Sequence, residues 1–204
     1  MSDQKRPYRK TRRAALEERT RRRITESAVE LHEELGPALT SVAAIAERAG
    51  VRRSTVYRHF PNEDALFDAC SSHWRAANPP PDPRAWATID DPAERTHRAL
   101  RDLYAFYRGT QGMYSSLLRD ESLVAPVQRR LRDFYRYLDM IEDVLMAGRG
   151  LRGHALRRTR AAIGHALAFT TWRSLAHEQG LGDADAVALM CVLVENAARA
   201  RSER

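Results

Sequence analysis

Cysteine is scarce in this 204-residue chain. Cys70 and Cys191 are the only two, too few for a disulfide framework or a Cys-based zinc module. Long apolar runs are also missing. The longest stretches without Asp, Glu, Lys or Arg are 12 residues, 35–46 and 161–172, short of the roughly 18 that a membrane-spanning helix needs. Residues 1–13 are basic and lack the apolar stretch of a secretory signal. No membrane partner is expected, and the cytoplasm is the expected compartment. Alternating strand patterns and Asn-Gly or Asp-Gly hairpin turns are absent, which argues against a sheet. No Gly-rich phosphate loop, Gly-x-Ser-x-Gly elbow or His-Glu-x-x-His occurs. His97, His154, His165 and His177 lack the i, i+4 pairing of a metal site, and neither cysteine lies in a His-containing nucleophile motif. The expectation is therefore no enzyme, no catalytic residues, no metal and no cofactor.

The chain is 43% hydrophobic and 30% charged, as in a folded globular protein. Its net charge of +7 is unevenly placed: residues 1–60 carry +6, and residues 61–204 carry +1. A basic end on a near-neutral body calls for an acidic partner, nucleic acid or an anionic surface. The basic arm Lys5, Arg6, Arg9, Lys10, Arg12 and Arg13 contributes to it, with residues 1–11 read as a polar extension.

Helical periodicity runs through the rest. Ile24, Ala28, Leu31 and Leu35 form one stripe of a helix over 12–35, ended by Gly36-Pro37. Short helices follow, the first from Thr40 or Ser41 to Ala49, ended by Gly50, and the next to about Phe60. Asn62 caps a fourth, with Glu63 and Asp64 in its first turn. The Pro-rich stretch 78–83 reads as a linker. Five more helices are expected, over 91–108, 111–118, 124–147, 153–179 and 183–200. Together they give an all-α chain of about nine helices: an N-terminal three-helix DNA-binding domain over 1–66 and a helical bundle over 67–204.

A helix, a tight glycine turn and a second helix, as in 40–60, form a helix-turn-helix. Val56 and Phe60 anchor the second helix. The opposite side is centred on Ser54 and Arg58, flanked by Thr55 and Tyr57, and carries no acid. Such a face suits a DNA major groove, where Arg forks onto guanine and hydroxyls meet phosphates.

The run AGVRRSTVYRHFPNEDAL over 49–66, preceded by Thr40-Ser41-Val42 and Ile45-Ala46, resembles the tetracycline-repressor (TetR) family. Tyr57 to Asn62 is the most specific part. The motif covers about residues 20–70; beyond it, only length and helix count are similar. The resemblance implies an all-helical homodimer that binds double-stranded operator DNA and is switched by a small-molecule effector. It places Thr40 and Ser41 near phosphates, Arg53, Ser54, Thr55 and Arg58 facing the bases, and Tyr57 and His59 on the backbone; Arg52 is counted with these DNA-binding residues. Two positions depart from the family pattern. Glu63 stands where Lys is common, and Ala43 stands near a usual basic residue.

In the second domain, Trp74, Tyr104, Tyr107, Met113, Tyr114, Phe134, Tyr137, Phe169 and Trp172 are expected to wall an apolar or aromatic effector pocket. Segment 111–118, preceded by Gly109 and beginning beside Gly112, is the part expected to shift on binding. The last helix has two apolar faces, Val187, Met190, Cys191 and Val194 on one, Leu189 and Leu193 on the other. The first set, with Ile163 and Leu167, is read as the dimer seam. The resulting reading is an effector-released repressor. An architectural DNA-binding protein without effector, or an enzyme using the pocket, are the alternatives.

Overall fold

The computed structural model describes residues 5–199, with side chains from residue 12 onward. The described residues are helical and contain no strand. They divide into two compact units, one of residues 1–79 and 115–129, the other of residues 80–114 and 130–204.

The first unit begins with α1 (Lys5–Glu34), which starts seven residues before the expected Arg12. The side chains of the basic arm up to Lys10 lie outside the described set; Arg12 and Arg13 are exposed. A 3₁₀ turn (Pro37–Leu39) leads to α2 (Val42–Arg48), α3 (Arg53–His59) and α4 (Glu63–Ala77). The expected α1 stripe is the core: Ile24, Ala28 and Leu31 are buried with Val42, Ile45, Ala46, Val56, Phe60, Leu66 and Phe67. Leu35 lies outside it and is exposed, because the helix ends one residue earlier. Asn62 caps α4 as expected, its Oδ1 accepting from Ala65 N at 2.8 Å.

Residues 115–129 complete this unit. Asp120 is 2% exposed and accepts a hydrogen bond from Ala38 N at 2.9 Å. Beside it, Arg119 donates to Leu35 O at 2.7 Å, and Ser116 donates to Glu33 O at 3.2 Å. Gly36 adopts φ +91°, and a Cβ there would collide with Arg119 and Asp120. Only glycine both takes that backbone shape and lets the carboxylate approach.

His32 is buried near Asp120, 5.5 Å from the Phe67 ring and with Nδ1 3.5 Å from Cys70 Sγ. Burial pulls its pKa from 6.5 to about 4, against the opposing pull of the Asp120 charge. The unfolded chain therefore binds a proton between those values that the folded chain refuses, and stability falls as pH drops through that window. Between pH 7 and pH 5 this group should cost about 2 kcal/mol. Urea titrations at the two pH values should show the loss, and His32→Gln should remove most of the difference.

The second unit holds α5 (Pro83–Ala87), most of α6 (Pro92–Asp120) and most of α7 (Ala125–Met146), then α8 (Gly153–Leu167), α9 (Phe169–Arg173), a π turn (Ser174–Glu178) and α10 (Asp183–Ala197). The structure departs from the sequence pattern at three places. The Pro-rich linker ends in a helix, since Asp82 caps α5 through Arg84 N and Pro83 takes its first position. The helices expected over 91–108 and 111–118 are one. Tyr107, Thr110, Met113 and Tyr114 are all buried, and their packing carries α6 through Gly109 and Gly112. Segment 111–118 is therefore no separate, weakly held helix. The helix expected over 153–179 is interrupted at Ala168, which is extended (φ −68°, ψ 133°).

That interruption leaves two carbonyls without their helical partners, and α6 supplies donors. Tyr104 Oη donates to Ala166 O at 2.9 Å, and Tyr107 Oη donates to Leu167 O at 2.6 Å. Burial holds both hydroxyls protonated, with pKa values raised well above that of a free tyrosine. Removing one of them with Tyr107→Phe leaves a buried carbonyl unpaired. Chemical denaturation should show a loss of about 1–3 kcal/mol.

Candidate nucleic-acid interface

The helix-turn-helix is built by local caps. Ser41 Oγ accepts from Ala44 N at 3.1 Å and starts α2. Gly50 ends it at φ +61°, with Gly50 N bonded to Glu47 O and Val51 N to Ala46 O, the Schellman pair that glycine favours. Arg48 ties α2 to α1 through Glu34 at 2.7 Å and Glu30 at 3.3 Å. Arg52 stands at the N-cap of α3, and Thr55 N bonds its carbonyl at 2.8 Å.

Val56 and Phe60 are each 1% exposed, so the inner face of α3 is fixed. Its C-terminal end is held by Arg21 of α1. The Arg21 guanidinium donates to His59 O at 2.9 Å and lies 4.3 Å over the Phe60 ring. Neither contact is visible in the sequence, because 38 residues separate the hydrogen-bonded pair.

The outer face of α3 follows. Arg52, Arg53, Ser54, Tyr57 and Arg58 are exposed, and Thr55 and His59 are half-buried. Arg53 lies 5.8 Å from the Tyr57 ring centroid. Among the described residues, no carboxylate pairs with Arg52, Arg53 or Arg58. His59 Nε2 is enclosed without a hydrogen-bond partner, and its pKa is lowered by burial and by the neighbouring Arg58 and Arg21 charges. Ser41 is exposed. Thr40 is half-buried and donates its hydroxyl to Gly36 O at 2.8 Å, leaving its lone pairs. Glu63 is exposed at the start of α4.

The residues expected around an effector fall as follows. Tyr104, Tyr107, Met113, Tyr114, Phe169 and Trp172 are buried in the second unit, with Phe134 and Tyr137 half-buried there. Tyr107 is central: Phe169, Trp172, Tyr114 and Phe134 rings lie 5.3–6.3 Å from it. Tyr137 Oη donates to Pro81 O at 2.8 Å. Trp172 Nε1 donates to Asp183, which also receives a two-pronged contact from Arg108 at 2.6 Å. Trp74 lies half-buried on α4, in the other unit.

Of the residues read as a dimer seam, Ile163, Leu167, Val187, Met190 and Val194 are buried in the core of the second unit, where α8 packs on α10. Cys191 is half-buried. The outward apolar face of α10 is the other set, Leu189 and Leu193, which the structure joins to Val192, with Leu156 of α8 also exposed. Periodicity alone cannot say which of two apolar faces turns inward.

Among the described residues, no group of three His, Cys, Asp or Glu could hold a metal ion. No described helix is long and apolar enough to cross a membrane.

Among the described residues, a short second helix projects exposed arginines from a helix-turn-helix on an otherwise helical chain, the architecture of the DNA-binding transcription regulators. Residues 24–70 match the model of the family described as bacterial regulatory proteins, tetR family. The fold resembles that of a TetR-like transcriptional regulator from Rhodococcus sp. RHA1 (TM-score 0.66, 19% identity, covering 89% of this chain and 97% of that one). It also resembles the transcriptional regulator FadR of Bacillus subtilis, solved in complex with stearoyl-CoA (TM-score 0.55, 19% identity, covering 86% and 96%). At these identities the likeness establishes the fold. No curated protein sequence matches the chain. Residues 24–70 thus carry a helix-turn-helix of the tetR family by sequence, and the fold over most of the chain is that of TetR-like regulators.

Proposed function

We propose that this regulator is a repressor that binds a palindromic operator as a homodimer and is released by a small apolar or aromatic effector. The observation that carries the DNA reading is the outer face of α3, three exposed arginines without carboxylate partners on a helix clamped by Arg21. Thr40, Ser41, Arg52, Arg53, Ser54, Thr55, Tyr57, Arg58 and His59 form the contact surface. Residues 1–66 are the DNA-binding domain, and residues 67–204 bind effector and dimerise. Two copies would meet through the exposed Leu189, Val192 and Leu193 face, setting their α3 helices one DNA turn apart, about 34–36 Å.

The effector reading is supported by the aromatic cluster around Tyr107 and by the fold shared with FadR, which was solved with stearoyl-CoA. Tyr104 and Tyr107 already donate to helix carbonyls, so the cluster offers a ligand ring faces more than hydroxyl donors. Effector binding would favour a spacing of the two α3 helices that no longer fits adjacent major grooves.

In vitro selection of bound duplexes, followed by footprinting, tests the first part. A two-fold symmetric site is expected; an asymmetric or sequence-independent footprint contradicts it. Thermal-shift screening of acyl-CoAs and apolar or aromatic metabolites, repeated with operator present, tests the second. A true effector weakens operator binding by the same factor as operator weakens effector binding.

A further inference from the structure

Each base pair shows its own pattern of donors and acceptors in the major groove, and side chains match those patterns unequally. Adenine is read by the paired donor and acceptor of Asn or Gln, cytosine by a carboxylate acceptor, and guanine, through O6 and N7, by the fork of Arg. From Thr40 to Asn62 the chain contains no Gln. Its one Asn, Asn62, is committed to capping α4. Its one acid, Glu47, lies on α2, and α3 with its cap carries none. What α3 offers outward is arginine.

Arg58 stands opposite the buried Val56 and Phe60, at the centre of the outward face, and the residue one turn before it is the small Ser54. Arg53 lies in the first turn of α3, the part of a recognition helix that reaches base edges. Its guanidinium sits near the Tyr57 ring, which narrows its freedom before DNA arrives. Both are exposed and, among the described residues, have no carboxylate partner, unlike Arg13, Arg22 and Arg48 of the same unit, which are paired with glutamates.

We infer that each operator half-site presents guanine to α3, with Arg53 and Arg58 as its readers. This rests on the DNA-binding reading of α3 given above and adds the base it selects. Arg58 and Arg53 donate in pairs to guanine O6 and N7. The hydroxyls of Ser54 and Thr55 add contacts with little base preference.

The test uses the full-length protein and duplexes recovered by in vitro selection. Guanines are replaced one at a time, either by 7-deazaguanine, which lacks N7, or by inosine, which keeps O6 and N7 and loses only the minor-groove amino group. At one or more guanines per half-site, 7-deazaguanine should weaken binding roughly 5- to 150-fold, and inosine should change it less than about twofold. Arg58→Ala should abolish the sensitivity at one such position, and Arg53→Ala at another. Selected half-sites without guanine, or affinities indifferent to 7-deazaguanine at every guanine, overturn the guanine assignment while DNA binding stands. Failure to bind any duplex in a salt-dependent way removes the DNA reading, and the guanine assignment with it.

Discussion

Raising the salt from 50 to 200 mM should lower operator affinity by about 10³- to 10⁵-fold, for a dimer neutralising about 6–10 phosphates. Binding to a phosphate backbone releases condensed counterions, and the release becomes less favourable as bulk salt rises. The N-terminal 60 residues hold nearly all of the excess positive charge, so the dependence should be steep. Glu63 works against it. It is exposed at the start of α4, where, in the proposed complex, its carboxylate would repel the DNA backbone. Glu63→Lys should therefore tighten binding and steepen the slope of log affinity against log salt by about one per subunit. Fluorescence anisotropy over a salt series measures both, and a flat response would contradict the DNA reading.

Two substitutions two residues apart on α10 should have opposite consequences. Val194 is 1% exposed, and Val192 is 60% exposed. Val194→Glu loses the burial of a valine, about 1.5–3 kcal/mol, and places a carboxylate in an apolar core at a further cost of several kcal/mol. That total rivals the whole stability of a typical domain, about 5–15 kcal/mol, so the subunit should fail to fold. Val192→Glu should leave subunit folding within about 0.5 kcal/mol of the parent. It should instead release monomers with weak operator binding, as seen by light scattering at micromolar concentration. A Val194→Glu protein with an unchanged cooperative melt would contradict the core position of that side chain. A Val192→Glu protein that stays dimeric would remove the outward face of α10 from the proposed seam.

The contrast between these valines marks where sequence reading stops. The helix-turn-helix was legible because its determinants are local: Ser41 caps three residues ahead, Gly50 turns the chain, and Asn62 caps three residues ahead. The inward stripe of α1 from Ile24 to Leu31 was legible from its period. Which face of α10 turns inward was not, since both faces are apolar and the packing of α8 and the π turn against it decides. The continuity of α6 through two glycines was hidden because burial of Tyr107, Met113 and Tyr114 overrides local propensity. The interruption at Ala168 carries no proline or glycine. It is accommodated by tyrosines about 60 residues earlier in the chain. The Arg21 clamp on α3 is likewise a long-range partnership that no motif records.

Asp120 bears on how such a regulator can be taken apart. The Pro-rich stretch after Asn78 looks like the place to cut when a DNA-reading head is to be grafted onto another sensor. A fragment ending there would leave behind residues 115–129. The amide of Ala38, the carbonyls of Leu35 and Glu33 and the close-packed Gly36 would all lose the groups that meet them. The exchangeable block is therefore discontinuous. A functional chimera must transplant the end of α6 and the start of α7 together with the head, or redesign the turn at Gly36 to stand without them.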